Sequence, residues 1–160
     1  MSKVYVALGS NLGDREAHLI QAALDIEGIT DCFNVISSSI YETAPMGPQD
    51  QPDYLNSVCA FECLLEPSGL LHELKQIERQ HGRTHSTARW TARPLDLDIL
   101  LFGKQQINTP KLTIPHSGIA QRSFVLWPLA ELDATLDVPG LGSVNQLLQG
   151  CERYGIQRYQ

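Results

Sequence analysis

The segment Leu95-Asp96-Leu97-Asp98-Ile99-Leu100-Leu101-Phe102 alternates apolar and acidic residues before it becomes wholly apolar. That alternation has the two-residue period of a β-strand with one face against a core. Leu95, Leu97, Ile99 and Leu101 then point toward packed helices. Asp96 and Asp98 share the other face, about 6 to 7 Å apart along the strand. Aspartate is disfavoured in strands, and two carboxylates at this spacing repel each other, so the pair calls for compensation. A hard divalent cation supplies it, because magnesium takes one or two carboxylates and completes its shell with water and phosphate oxygens. Two such ions would clamp a displacement at phosphorus. The alternative is a pair of solvated carboxylates on the open face of a half-exposed strand.

Working outward, Gly103 closes this strand and an irregular loop, residues 83–94, leads into it. Before the loop, Pro67 at a first turn and Gly82 past an end frame a helix whose apolar stripe is Leu70, Leu74 and Ile77. Residues 55–64 read as a strand that begins beside the polar Asn56, and residues 35–42 as another, rich in serine and β-branched residues. Between them Pro45, Gly47, Pro48 and Pro52 exclude regular structure from residues 43–53. At the N-terminus, residues 3–9 form a buried strand ending in the turn Gly9-Ser10-Asn11-Leu12-Gly13. Asp14 caps a helix running to about Ile26, with Ala17, Ile20 and Leu24 on one face. The order βαββαβ suits an α+β, ferredoxin-like fold: an antiparallel sheet with both helices on one face and the other free for a site. Residues beyond 103 hold short extra elements around 112–114, 117–132 and 143–148. With no repeat or linker, a single domain over residues 1–160 is expected.

The bulk composition narrows the function. The 160 residues are 42% hydrophobic and 19% charged, as in a globular chain. The net charge of −6 argues against a general polynucleotide binder, because a phosphate backbone would be repelled. No apolar run reaches the roughly 18 residues of a membrane helix, and residues 4–8 are too short for a signal sequence. A cytoplasmic location is expected. Cys59 and Cys63 are about 13 Å apart along a strand, too far for a disulfide or a shared metal. Cys32 and Cys151 lack a CxxC partner, so all four cysteines read as free thiols.

Against this acidic background the basic residues cluster. Arg83, Arg89 and Arg93 fall within eleven residues, with His85 and Trp90 among them, directly before the acidic strand. Guanidinium forks bind phosphate oxygens in pairs and stabilise charge that develops during transfer. Each arginine alone could be a solvated loop residue, but basic and acidic groups in tandem are what a magnesium nucleotide requires. Lys111, His116 and Arg122 add further positive or titratable groups. Taken singly, His116 reads as structural and Phe124 and Trp127 as core. Tyr54 and Asn56 share a face at a strand's start, where a ring and an amide could hold a flat heterocycle. Taken alone, they read rather as a plain proline-rich turn entering a strand. The P-loop pattern is absent, and the glycines of residues 9–13 miss the dinucleotide fingerprint by spacing.

Together these motifs resemble the 6-hydroxymethyl-7,8-dihydropterin pyrophosphokinases of folate biosynthesis. The resemblance runs from Val4-Tyr5-Val6-Ala7-Leu8-Gly9-Ser10-Asn11-Leu12-Gly13 through the proline loop and Arg93-Pro94-Leu95-Asp96-Leu97-Asp98. It continues through Pro115-His116 to Arg122-Ser123-Phe124-Val125-Leu126-Trp127-Pro128-Leu129, which is most of the chain. It implies transfer of the β,γ-pyrophosphoryl group of ATP to the pterin's hydroxymethyl oxygen, with release of AMP. It implies that Asp96 and Asp98 hold two magnesium ions, and that Tyr54 and Phe124 sandwich the pterin. Asn56 and the backbone around Thr43 and Met46 then read the pterin's edge. Arg83, Arg93, His116 and Arg122 resemble phosphate contacts, Glu78, Lys111 and Thr113 line the ATP pocket, and Arg89 and Trp90 belong to a closing loop. Thr91-Ala92, His85-Ser86 and Ser117 depart from the residues usual at those places. ATP and the pterin are the expected partners, with no nucleic acid or membrane, and a monomer is expected. Two rival readings are a metal-dependent nucleotide hydrolase, which leaves Tyr54 and Asn56 without a task, and a non-catalytic nucleotide-binding regulatory domain.

Overall fold

The structure is a computed structural model that describes residues 1–44, 52–82, 94–151 and 156–159. Its elements in chain order are β1 (Ser2–Ser10), α1 (Arg15–Glu27), β2 (Cys32–Ser37), β3 (Tyr41–Thr43), β4 (Tyr54–Cys63), α2 (Pro67–Gln80) and β5 (Asp96–Phe102). There follow β6 (Ile107–Asn108), β7 (Thr113–Ile114), a 3-10 turn (Ile119–Gln121), α3 (Ser123–Leu132), β8 (Asp137–Val138), β9 (Gly142–Ser143), α4 (Val144–Gln149) and β10 (Ile156–Arg158). The main sheet runs β10-β3-β4-β1-β5, with β2 also on β4, and all its pairs are antiparallel.

Alternation along the strands sorts side chains onto two cores. Val4, Val6 and Leu8 of β1 join Cys59 and Phe61 of β4 and Leu97 and Ile99 of β5 on one face. Leu19, Ala22 and Ile26 of α1 and Leu70, Leu74 and Ile77 of α2 cover that face. The stripe on α2 is the one its spacing indicates. On α1 the buried residues are Leu19, Ala22 and Ile26, whereas Ile20 is 52% and Leu24 54% exposed. Both sets have helical spacing. The Asp14 side chain, accepting from Ala17 N at 3.1 Å, anchors the first turn, and packing on the sheet selects which set turns inward.

The second face is not open as expected. Val125, Leu126 and Leu129 of α3 and Val144 of α4 pack there against Tyr5, Val58, Ala60, Leu100 and Leu101. A bulge explains how β5 serves both cores. Val6 pairs with Ile99 but Tyr5 with Leu101, so Leu100 is an extra residue and the inward–outward order reverses past it. Leu101 therefore joins the second core, against the simple alternation, and Phe102 returns to the first. The expected strand over residues 35–42 is likewise two strands. The break falls at Ser38, whose N–H donates to Val58 O and whose hydroxyl accepts from Val58 N, both at 2.9 Å. The four cysteines are free as expected, although Cys32 and Cys63 face each other across β2 and β4 with their sulfurs 3.8 Å apart. Burial, with Cys63 beside it, pushes the Cys32 thiol up to about 12.

Helices α1 and α2 are tied by a polar chain. His18 Nδ1 lies 2.7 Å from His81 Nδ1, and His81 Nε2 lies 3.1 Å from Asp25 Oδ2. One Nδ1 must accept, so the contact requires one neutral imidazole. Burial lowers the His18 pKa from 6.5, the neighbouring His81 lowers it further, and Asp14 opposes them. The unfolded chain then binds the proton more tightly, so this contribution is present above about pH 6.5 and is lost as pH falls through the lowered value. The melting temperature should drop as pH falls from about 7 to about 5, and His18→Gln should flatten that slope while keeping a hydrogen bond to His81. An unchanged slope in the variant would remove His18 as its cause.

Candidate active site

The site grows from the end of the sheet where β1, β4 and β5 meet the start of α3. Because Leu97 and Ile99 are buried in the first core, Asp96 and Asp98 turn to the other face, half-buried, and both line a cavity of about 290 Å³. Leu97 between them is fixed from outside the sheet: its N–H donates to Glu78 Oε2 at 2.8 Å, and Glu78 is only 3% exposed. A carboxylate from α2 thus satisfies the strand amide that separates the two aspartates. Lys75, one turn earlier on α2, lies 3.9 Å from Glu78 Oε1 and also lines the cavity.

Opposite stands a polar wall. Tyr54 and Asn56 are two apart on β4 and share its face, with Thr43 of β3 beside Tyr54 in register. Asn56 Nδ2 donates to Thr43 Oγ1 at 2.8 Å, which orients the amide. Gly9 of β1 makes room for this wall, since a Cβ there would lie 3.2 Å from Asn56 Oδ1 and 3.6 Å from Tyr54 Cδ1. The entry to Tyr54 is anchored by Asn11, which donates to Pro52 O at 3.2 Å, and by Arg15, which donates to Asp53 O at 2.8 Å.

The third wall comes from residues 116–125. The cis bond between Ile114 and Pro115 precedes His116, whose N–H donates to Leu100 O on β5 at 3.0 Å. Gly118 N donates to His116 Nδ1 at 3.1 Å, so the neutral ring carries its proton on Nε2. Burial lowers the His116 pKa, Arg122 lowers it further and Asp96 opposes them. Near neutral pH the ring is therefore an uncharged N–H donor. The Arg122 guanidinium lies 5.8 Å from the centre of the Phe124 ring and passes so close over Gly118 that a Cβ there would stand 2.6 Å from Arg122 Nε.

Of the residues singled out from sequence, Thr43, Tyr54, Asn56, Asp96, Asp98, His116, Arg122 and Phe124 line this one cavity. Phe124, a core residue by simple reading, is half-buried at its edge. Glu78 is spent on Leu97, while Lys111 and Thr113 are exposed around the β6–β7 hairpin and are not among the lining residues. Met46, Arg83, Arg89, Trp90 and Arg93 lie outside the described residues, as do His85-Ser86 and Thr91-Ala92. The sequence reading missed Lys75 and the hydrogen-bond anchors Asn11 and Arg15. Nothing in their local pattern separates them from ordinary surface or turn residues.

The family model for 7,8-dihydro-6-hydroxymethylpterin-pyrophosphokinase matches residues 5–134. The chain is 44% identical over 159 residues to the 2-amino-4-hydroxy-6-hydroxymethyldihydropteridine pyrophosphokinase of Pseudomonas aeruginosa, covering 99% of this chain and 97% of that one. It is 45% identical over 128 residues to the protein of the same name from Bacillus subtilis, covering 80% and 76%. Among solved structures, the HPPK-DHPS of Plasmodium falciparum superposes with a TM-score of 0.72 at 14% identity. The match covers 93% of this chain and 45% of that longer one, a likeness of fold.

The contact between Gly118 and Arg122 can be tested directly. In Gly118→Ala the flexible guanidinium must move aside, so stability should change by less than about 1 kcal/mol. If Arg122 meets a phosphate from this position, binding of a nucleoside triphosphate, measured by titration calorimetry, should weaken several-fold as the guanidinium leaves its place. Unaltered binding would show that Arg122 does not need this position.

Proposed function

Because the chain belongs to the 7,8-dihydro-6-hydroxymethylpterin-pyrophosphokinase family, we propose a residue-level account of how it performs that family's reaction. The enzyme transfers the pyrophosphoryl group of ATP to the hydroxymethyl oxygen of 6-hydroxymethyl-7,8-dihydropterin in folate synthesis, leaving AMP. One observation carries the account: the paired aspartates of β5 and the aromatic and amide groups of β4 and α3 line the same cavity.

In this account Tyr54 and Phe124 hold the pterin between their rings, and Asn56 reads its edge with backbone around Thr43 and Met46. The Asn56 amide is already oriented by Thr43, so little ordering remains to be done on binding. The nucleotide lies toward Arg83, Arg93, His116 and Arg122, whose donors meet phosphate oxygens and the charge that develops on them. His116 contributes as a neutral Nε2–H donor, consistent with its lowered pKa. Glu78, Lys111 and Thr113 serve the nucleotide side, Glu78 through the strand it holds. Arg89 and Trp90 are assigned to the nucleotide on the family resemblance.

Two carboxylates on one strand face, both at the cavity, fit magnesium, whose remaining ligands are phosphate oxygens and water. Among the described residues no cluster of three or more histidine, cysteine or acidic side chains forms a closed metal cage. That suits an ion held jointly by protein and substrate. Two magnesium ions bound to Asp96 and Asp98 would neutralise phosphate charge and orient the transferring group. The protein's own task is to hold the hydroxymethyl oxygen in line with the β-phosphorus. The bond from that oxygen to the β-phosphorus forms as the bond to the α-phosphate oxygen breaks, and the hydroxyl proton leaves to solvent.

We read residues 1–160 as one pyrophosphokinase domain with a ferredoxin-like core. The order β5-β1-β4, with β2 and β3 both paired to the far side of β4 and α1 and α2 on one face, supports that reading. The elements after β5 are C-terminal additions, of which α3 and α4 cover the second face and β10 extends the sheet beside β3. We take the enzyme to be a cytoplasmic monomer acting on small molecules, without nucleic-acid or membrane partners. The net charge of −6 supports the first exclusion, and among the described residues no helix is long and apolar enough to cross a membrane.

The purified protein with MgATP and 6-hydroxymethyl-7,8-dihydropterin should yield AMP only when the pterin is present. AMP or ADP without pterin would indicate a hydrolase, and nucleotide binding without product a regulatory module. Asp98→Asn should lower turnover by about a thousandfold or more while circular dichroism and melting stay native, because a ligand is lost without a change of shape. Turnover within tenfold of the parent would overturn the metal assignment.

A further inference from the structure

On α3, Glu131 lies seven positions after Phe124, so the two side chains leave the same face of the helix about two turns apart. Pro128 lies between them and has no N–H to offer the Phe124 carbonyl, so the turn that carries Phe124 lacks one of its helical hydrogen bonds. Its position depends correspondingly more on tertiary contacts. Glu131 provides a set of these on an element 90 residues away. Its Oε1 accepts from the Tyr41 hydroxyl at 2.8 Å, and its Oε2 accepts from Ser39 N at 2.9 Å and Ser39 Oγ at 3.0 Å. Arg158 of β10 lies 3.8 Å from the same carboxylate and donates to Ser39 Oγ.

Tyr41 is the residue through which this reaches the cavity. It is 8% exposed, pairs in register with Asn56, and shares a face of β3 with Thr43, whose Oγ1 holds the Asn56 amide. The residue that Glu131 holds is therefore the cross-strand neighbour of Asn56, which lines the same cavity as Phe124. We propose that Glu131 is a positioning residue for the pterin side of the site: it locks β3 to α3 and so sets the Thr43–Asn56 pair against Phe124. This rests on the assignment of Tyr54, Asn56 and Phe124 to the pterin. Burial disfavours the charge on Glu131, but the Ser39 and Tyr41 hydrogen bonds and Arg158 outweigh it and hold its pKa below the usual value. The carboxylate is thus ionised, and a strong acceptor, throughout the neutral range.

The test separates the two substrates in steady-state kinetics of the full chain. Tyr41→Phe keeps the ring and removes one hydrogen bond, and should raise the pterin KM about threefold with the ATP KM within twofold of the parent. Glu131→Ala should raise the pterin KM about tenfold, and Glu131→Gln, which retains an acceptor oxygen, should recover part of the loss. The effects of Tyr41→Phe and Glu131→Ala should not add in the double variant, because they break the same bond. Parallel rises in both KM values, or a pterin KM within twofold of the parent in Glu131→Ala with a native melting temperature, would overturn the positioning role. If Glu131→Ala does not fold, Tyr41→Phe alone decides the matter. Asn56→Ala serves as the control for the underlying assignment. A raised pterin KM there with none in the Glu131 and Tyr41 variants rejects positioning alone, whereas an unchanged one rejects the pterin site and positioning with it.

Discussion

The arrangement depends on one strand having to satisfy two demands. β5 must bury Leu97 and Ile99 beneath α1 and α2, and the two-residue period of a strand then forces Asp96 and Asp98 to the opposite face together. Bringing two carboxylates to one spot costs repulsion, which the apolar burial on the other side of the strand offsets. Each leucine or isoleucine so buried is worth about 1.5 to 3 kcal/mol. The strand cannot relieve the repulsion by slipping, because a one-residue shift would expose its apolar set. Glu78 adds a second restraint by accepting from the amide between the aspartates, at the edge of β5 that does not face β1. The acidic pair is therefore held ready by the hydrophobic core rather than assembled when substrate arrives.

Around that fixed pair the other walls are oriented by hydrogen bonds among groups that are not themselves reactive. Asn56 is set by Thr43, His116 by Gly118 N, and the chain before Tyr54 by Asn11 and Arg15. Gly9 and Gly118 matter for what they lack, since a Cβ at either would press on Asn56 or Arg122. Such a site pays its ordering cost during folding. Pyrophosphoryl transfer offers the protein little covalent chemistry, so positioning of this kind, with electrostatic stabilisation, is where its catalytic contribution lies.

The second layer, α3 and α4, turns a sheet with one covered face into a cleft. Val125, Leu126 and Leu129 dock on Tyr5, Val58 and Leu100, and the cavity lies beside them at the end of the sheet that carries the aspartates. Without this layer Phe124 and Arg122 would have no fixed relation to β4. The Leu100 bulge adds to this docking, since it turns Leu101 to the same side as Leu100.

Local patterns in the chain determined the strand and helix order, the apolar stripe of α2, the shared face of Asp96 and Asp98, and the shared face of Tyr54 and Asn56. These follow from periodicities of 2 and 3.6 residues, which ten or so consecutive residues display completely. The gathering of those groups with His116, Arg122 and Phe124 was legible only through resemblance of the whole motif set to a known family. The tertiary structure alone decided that α1 buries Leu19, Ala22 and Ile26 instead of Ile20 and Leu24, that Leu100 is a bulge, and that α3 closes the second face. It alone brought Glu131 to Ser39, 92 residues apart, and His18 to His81, 63 apart. A residue's local pattern says which way it points relative to its own element, but register, bulges and docking are set by contacts between distant segments, and no local period records them.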